Sequence, residues 1–128
     1  MNPLKKTIET YEKIGINYAR RRHPDPRLAS ALANALGDAT SVINVGAGTG
    51  SYEPSDRKVV AVEPSMTMIR QRLGGSAVVV RACAEALPFK NLVFDAGLAV
   101  LTMHHWSDWR TGLRELRRVS RDRVVLLT

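Results

Sequence analysis

Val42-Ile-Asn-Val-Gly46-Ala-Gly48-Thr-Gly50 is the stretch that decides the fold. Ser41–Val45 is a short apolar run, which reads as a strand buried on both faces. It empties directly into Gly46-x-Gly48-x-Gly50. Without a Cβ, these positions let the backbone turn sharply and come close to a ligand or to another piece of backbone. Standing by itself, the glycine cluster is equally readable as a tight structural turn.

The sequence around it repeats one theme, apolar strand followed by helix. Lys58–Val62 is a second apolar run and ends at Glu63. Ser65 is placed to cap a helix in which Met66, Ile69 and Leu73 share a face, closed by Gly74-Gly75. Ala77–Arg81 is a third strand and Phe94–Leu101 a fourth. Ser107 or Asp108 caps the next helix, with Trp109, Leu113 and Leu116 inward and Arg110, Arg114, Arg117 and Arg118 outward. Arg123–Leu127 is a fifth strand. Upstream, Leu4, Ile8, Tyr11, Ile14 and Tyr18 recur at helical spacing, which predicts a helix over about 4–19. Asp25-Pro26 opens another, with Leu28, Leu32 and Leu36 as its stripe and Gly37 as its stop.

Apolar strands alternating with helices predict a parallel sheet covered on both faces, in a single domain over 1–128: N-terminal helices in 1–40 and an α/β core in 41–128. In such sheets ligands sit at the carboxyl ends of the strands. The glycines, Glu63 and the residues after strand four all fall there. Glu63 can accept both hydroxyls of a ribose, or serve as an exposed residue or a helix cap ahead of Pro64 and Ser65. The crossover from Ser51 to Arg57 is short, since a parallel crossover usually needs about a dozen residues, and the N-terminal helices are expected to cover that face.

The bulk numbers narrow the class. The chain has 128 residues, 45% of them hydrophobic, a single cysteine and a net charge of +7. No apolar run approaches the roughly 20 residues of a membrane helix, and no apolar signal region follows Met1. One cysteine, Cys83, permits no internal disulfide, which points to a reducing compartment, the cytoplasm. The positive charge invites nucleic acid, but arginine far outnumbers lysine, Ala and Val abound, and the arginines fall on expected helix surfaces. A nucleic-acid partner is therefore not the expectation.

Four segments in this order resemble class I S-adenosylmethionine-dependent methyltransferases of the small-molecule, type 11 group. Val42–Tyr52 is similar to their motif I, Val59–Met66 (VVAVEPSM) to motif II, and Ala82–Phe89 (ACAEALPF) to the segment beside the adenine. Phe94–Val119 resembles the fourth strand and the helix after it, and Tyr11–Arg27 resembles the lead of a bacterial subset. The resemblance implies a Rossmann-like sheet of about five parallel strands in the order 3-2-1-4-5, helices on both faces and two N-terminal helices. The C-terminal hairpin of the full fold would be absent. It implies S-adenosylmethionine as cofactor, S-adenosylhomocysteine as its product, and a small-molecule methyl acceptor.

By the same resemblance the backbone at Gly46 and Gly48 approaches the amino-acid part of the cofactor, with Gly50 shaping the turn. Glu63 holds the ribose, Pro64, Ser65 and Met66 flank the adenine, and Ala84 and Glu85 lie along the base edge. Thr102 and His104 face the sulfonium. Tyr18 and Arg22 fold over the methionine carboxylate, although Arg22 reads more readily as a solvated charge. Asn44 stands where most relatives have an acid, so only its amide oxygen is left for the cofactor's ammonium. Cys83 stands where Asp or Asn usually meets the adenine, and reads as a small buried residue. His104 is the candidate base, or else part of the substrate wall. Adjacent His104 and His105, with no third ligand, do not read as a metal site. Trp106 is a packing or substrate-facing aromatic.

Two functions follow. One is methyl transfer to a small molecule. The other is an incomplete or non-catalytic cofactor-binding module that needs a partner or a C-terminal part. In that case a homodimer contact would cover the open edge of strand five.

Overall fold

A computed structural model describes residues 24–72 and 77–128. Five strands form one sheet, in the order β3-β2-β1-β4-β5, and every neighbouring pair is parallel. The strands are β1 (Ser41–Val45), β2 (Lys58–Val62), β3 (Val78–Val80), β4 (Phe94–Val100) and β5 (Ser120–Leu127). This is the doubly wound order in which β1 lies at the switch point, flanked by β2 on one side and β4 on the other. The expected helix over 4–19 lies outside the described residues.

Helix α1 (Pro26–Leu36) starts and stops where its punctuation directs. The Asp25 carboxylate accepts the Arg27 N–H at 2.9 Å, and Pro26 fills the first turn, where no N–H is needed. Gly37 ends the helix at φ 59°, a left-handed conformation that favours glycine, while its N–H returns to Ala33 and Asn34. Leu32 and Leu36 of α1 pack on Val42, Ala96 and Leu98, and Tyr52 and Val59 close the margin. Tyr52 also accepts the Asp25 N–H at 2.8 Å, which ties the short crossover to the start of α1. An N-terminal helix thus covers the face that the helixless 51–57 segment leaves bare.

The opposite face packs Ile43, Val45, Val62 and Ala99 against Trp106, Leu116 and Val119. Leu116 and Val119 belong to α3 (Trp109–Val119), which Asp108 caps through the Thr111 N–H at 3.2 Å. The expected inward set is only partly right. Leu116 is buried, but Trp109 is 47% exposed, with the Arg110 guanidinium 4.8 Å from the centre of its ring. The reason is competition. Trp106 fills the space beside Gly112 so closely that a Cβ there would meet its Cε3 at 2.4 Å, and no room is left for a second indole.

Arg118, expected outward, instead turns back. It donates to the carbonyls of Leu87 (3.0 Å) and Phe89 (2.7 Å), to Asn91 (3.0 Å) and to Glu115. The helix after Glu63 is also shorter than its glycine stop suggested: α2 spans Met66–Arg70, and Met68, not Met66, is its fully buried side chain. An i, i+3 stripe presumes a helix of several turns. In a five-residue helix the Ser65 cap, which accepts the Met68 N–H at 3.3 Å, sets the facing instead.

Candidate functional site

The carboxyl ends of β1, β2 and β4 converge, and the glycine turn lies where they meet. The N–H groups of Gly46 and Ala47 both donate to the Val62 carbonyl, at 2.8 and 3.0 Å, which draws the turn onto the end of β2. Gly46 has φ 70°, and a Cβ placed on it would meet Thr102 Oγ1 at 2.2 Å. Here the glycine serves backbone geometry and a close approach to the exit of β4 together. Thr102 itself is only 2% exposed.

Glu63 joins the second strand end to the turn. Its Oε1 accepts the Gly48 N–H at 2.7 Å and its Oε2 accepts the Ser65 N–H at 2.9 Å. The residue is 0% exposed. Loss of hydration pushes its carboxyl up to about 7, against the opposing pull of the Ser65 and Gly48 N–H groups and the Arg72 charge. Pro64 and Ser65 are buried and Met66 is half-buried. The Pro64 carbonyl accepts Arg81 Nε at 2.9 Å.

Asn44 lies beneath the turn, 4% exposed, with its amide nitrogen donating to Glu53 Oε2 at 2.9 Å. Glu53 also pairs with Arg72, and Arg72 donates to the Gly48 carbonyl at 3.3 Å. Sequence reasoning missed both Glu53 and Arg72. The one available signal was the short crossover, because residues that lack a helix need other anchors.

The 82–89 segment is fastened to α3 rather than left open. Ala84 is in the core beside Trp106 and Gly112, and Cys83 is a buried free thiol. Burial, followed by the Glu85 charge, raises the Cys83 thiol above its ordinary range. Glu85 Oε2 accepts the N–H groups of Ser107 (3.1 Å) and Asp108 (3.4 Å), just ahead of α3. The Glu85 carboxylate is thus engaged ahead of α3 through Oε2, while its Oε1 is buried without a hydrogen-bond partner. His104 is exposed on the 3₁₀ turn Met103–His105, its ring centre 3.9 Å from that of His105. Trp106 is 8% exposed and is a packing residue. Tyr18 and Arg22 lie outside the described residues.

A ribose-bearing cofactor fits this donor set in one specific respect. A carboxylate offers about four lone-pair positions, and Glu63 commits one per oxygen to the backbone, which leaves one on each for a vicinal diol. Its raised affinity for a proton shows that the buried charge is undercompensated, so further donors there are favourable. Because the carboxylate is fully covered, a diol reaches it only by displacing the atoms that now cover it. No helix follows Gly50 before β2, so the helix N-terminus that seats a dinucleotide's pyrophosphate is lacking.

A parallel sheet in this order, with a glycine turn after β1 and an acid ending β2, is the arrangement of Rossmann-like folds, S-adenosylmethionine-dependent methyltransferases among them. Residues 43–128 match the methyltransferase domain family of type 11, and the chain belongs to that family. Among solved structures it resembles a protein from Anabaena variabilis assigned as a methyltransferase of an antibiotic biosynthesis pathway. They share 31% identity and a TM-score of 0.75, over 82% of this chain and 46% of that one. It also resembles an S-adenosylmethionine-dependent methyltransferase from Thermotoga maritima, at 25% identity and a TM-score of 0.77, over 94% of this chain and 60% of that one. The chain thus spans about half the length of these solved relatives. The aspartate carbamoyltransferase catalytic subunit of Legionella pneumophila is 38% identical over 69 residues, 54% of this chain and 22% of that protein. So short a share of that enzyme carries no activity across.

Proposed function

We propose that this chain binds S-adenosylmethionine at the carboxyl end of its sheet and serves methyl transfer to a small-molecule acceptor. The observation that carries the reading is the Glu63–Gly48 contact, a buried acid from β2 held against the glycine turn of β1 with lone pairs to spare. When bound, the cofactor supplies a methyl group already activated on a sulfonium, so the protein's task is chiefly alignment.

In this reading Glu63 takes the ribose hydroxyls, and the backbone of Gly46, Gly48 and Gly50 lines the amino-acid moiety. Pro64, Ser65 and Met66 flank the adenine, and the backbone of Ala84 and Glu85 borders it. Asn44, whose amide nitrogen is turned to Glu53, presents its oxygen to the ammonium. Thr102 marks the exit of β4, and exposed His104 is the group that takes a proton from an acceptor that must lose one. Tyr18 and Arg22 are proposed for the methionine carboxylate. Among the described residues no helix is long and apolar enough to cross a membrane, and a lone buried thiol suits a cytoplasmic setting. β5 forms one edge of the sheet, with Leu126 41% exposed. We assign that edge to pairing with a second copy, which light scattering would report as a dimer.

Titration calorimetry with S-adenosylhomocysteine tests the cofactor assignment. Saturable heat is expected from the wild type and none from Glu63→Ala. A folded wild type that gives no heat at millimolar ligand overturns the proposal. Transfer of label from S-adenosylmethionine to extract fractions of low mass, against nucleic acid as the control, tests the acceptor class.

A further inference from the structure

Gly48 is held at both of its polar atoms. Its N–H donates to Glu63 Oε1 at 2.7 Å, and its carbonyl accepts Arg72 at 3.3 Å. The Arg72 guanidinium is in turn paired with Glu53, which takes the Asn44 amide at 2.9 Å and donates its own N–H to the Gly50 carbonyl at 3.1 Å. The pair is buried, with the Arg72 side chain 4% exposed and that of Glu53 7% exposed. It is an inefficient way to add stability. Desolvating two charges offsets most of their attraction, and Arg72 Nε is buried without a hydrogen-bond partner. Its position says more. It occupies the side of the glycine turn where a crossover helix would lie, and this chain has only residues 51–57 there.

We propose that Arg72 is a positioning residue for the cofactor pocket: anchored by Glu53, its guanidinium holds the Gly48 carbonyl and so restrains the backbone at Gly48, keeping the Gly48 N–H on the Glu63 carboxylate. The inference rests on the reading of Glu63 as the ribose-binding acid. The Gly48 N–H and carbonyl belong to the two peptide planes that meet at its Cα, held at φ 58°. Because glycine turns freely there, a partner on the carbonyl removes freedom that would otherwise let the N–H swing away from Glu63. Among the described residues the charge that acts directly on Glu63 is Arg72 beyond α2; Glu53 of the crossover is paired with Arg72, and Arg81 beyond β3 donates to the Pro64 carbonyl next to Glu63. Arg72 attracts a negative Glu63 through space, and Glu53 neutralises part of that attraction.

Opposite perturbations should therefore move Glu63 in opposite directions, which a merely structural role would not do. The first measurement needs no ligand: the Glu63 side-chain carboxyl is followed by carbon NMR as pH is varied. Arg72→Met should move its titration to higher pH, Arg72→Lys should restore most of the shift, and Glu53→Gln should move it to lower pH. The second measurement is S-adenosylhomocysteine affinity at neutral pH. Arg72→Met should bind roughly tenfold more weakly, the loss typical of one hydrogen bond to a charged group. Arg72→Lys should recover only part of that, having the charge without the fork. If Arg72→Met fails to fold, the Glu53→Gln titration decides by its sign. An unmoved Glu63 titration in either variant, or unchanged affinity in a folded Arg72→Met protein, overturns the proposal. A wild type that binds no cofactor while Glu63 still shifts as stated overturns the cofactor reading and leaves the Arg72–Gly48–Glu63 coupling standing.

Discussion

Glu63→Gln should reveal what the buried acid costs the fold. In the folded chain the Glu63 carboxyl titrates at about 7, against an ordinary value of 4.5. Below pH 4.5 both folded and unfolded chains carry the proton. Between 4.5 and about 7 the unfolded chain has released it and the folded chain has not, so unfolding releases a proton and stability falls as pH rises. Over that window the loss is about 3 kcal/mol, at about 1.4 kcal/mol per unit. Gln has the shape of the protonated acid and cannot titrate. Like a neutral carboxyl, it accepts well from only one of the two N–H groups, those of Gly48 and Ser65, so it carries its own fixed penalty. The two proteins should therefore differ by a constant at acid pH. From there to pH 8 the variant should gain about 3 kcal/mol on the wild type, as every other titrating group cancels. Urea unfolding at a series of pH values, followed by the fluorescence of buried Trp106, measures the difference. A flat difference across the range, or one that falls with pH, would refute the argument. A stabilised variant that also binds no S-adenosylhomocysteine would show that the acid is kept for its ligand.

Three further outcomes are expected. Arg118→Met strips hydrogen bonds from the Leu87 and Phe89 carbonyls and from Asn91; it should cost about 3 kcal/mol, read as a lower urea midpoint with unchanged m. Gly46→Ala drives a Cβ to 2.2 Å from Thr102 Oγ1 at φ 70°; either a loss of at least about 3 kcal/mol or failure to fold is expected, and near-wild-type stability would contradict the contact. Asp95 accepts Thr40 Oγ1 (2.7 Å), the N–H groups of Thr40 and Ser41, and Arg121 (2.5 Å), which together hold its carboxyl well below the usual range. Its stabilisation is complete above the ordinary carboxylate value and fades only as pH falls toward the depressed one. Asp95→Asn should therefore be less stable at neutral pH, and the gap should narrow in acid.

The sequence exposed what depends on local pattern. β1 and β2 span the residues their largely apolar runs mark out, because a strand covered on both faces is mostly apolar until it leaves the sheet; Asn44, buried within β1 with its amide on Glu53, is the exception. Helix α1 is bounded by Asp25 and Gly37 for reasons contained in those residues. The candidate site was legible as a set of positions, the glycines and Glu63, and not as a set of contacts. Glu53 and Arg72 lie 19 positions apart, one in the crossover and the other just past α2, and meet only because the sheet brings β1 and β2 together. Trp109 and Arg118 misled for the same reason. A helical wheel assigns faces but cannot report that Trp106 has taken the inner place or that a loop waits beside the last turn. β5 starts at Ser120, directly after α3, because Ser120 Oγ donates to the Leu116 carbonyl at 2.6 Å and turns the chain without a loop.

The attachment of the 83–92 loop to α3 has a consequence for how the molecule opens. Glu115 accepts the Leu87 N–H, Glu85 accepts the N–H groups ahead of the helix, and the Leu92 N–H donates to the Arg118 carbonyl. Loop and helix therefore share one fate: neither can detach while the other stays ordered. In hydrogen exchange the amides of Leu87 and Leu92 should carry the protection of a helix, and should lose it together with α3 as one cooperative unit. During folding the loop and α3 should gain their order together, since each supplies the other's partners. A segment that looks like a surface connection behaves as part of the core.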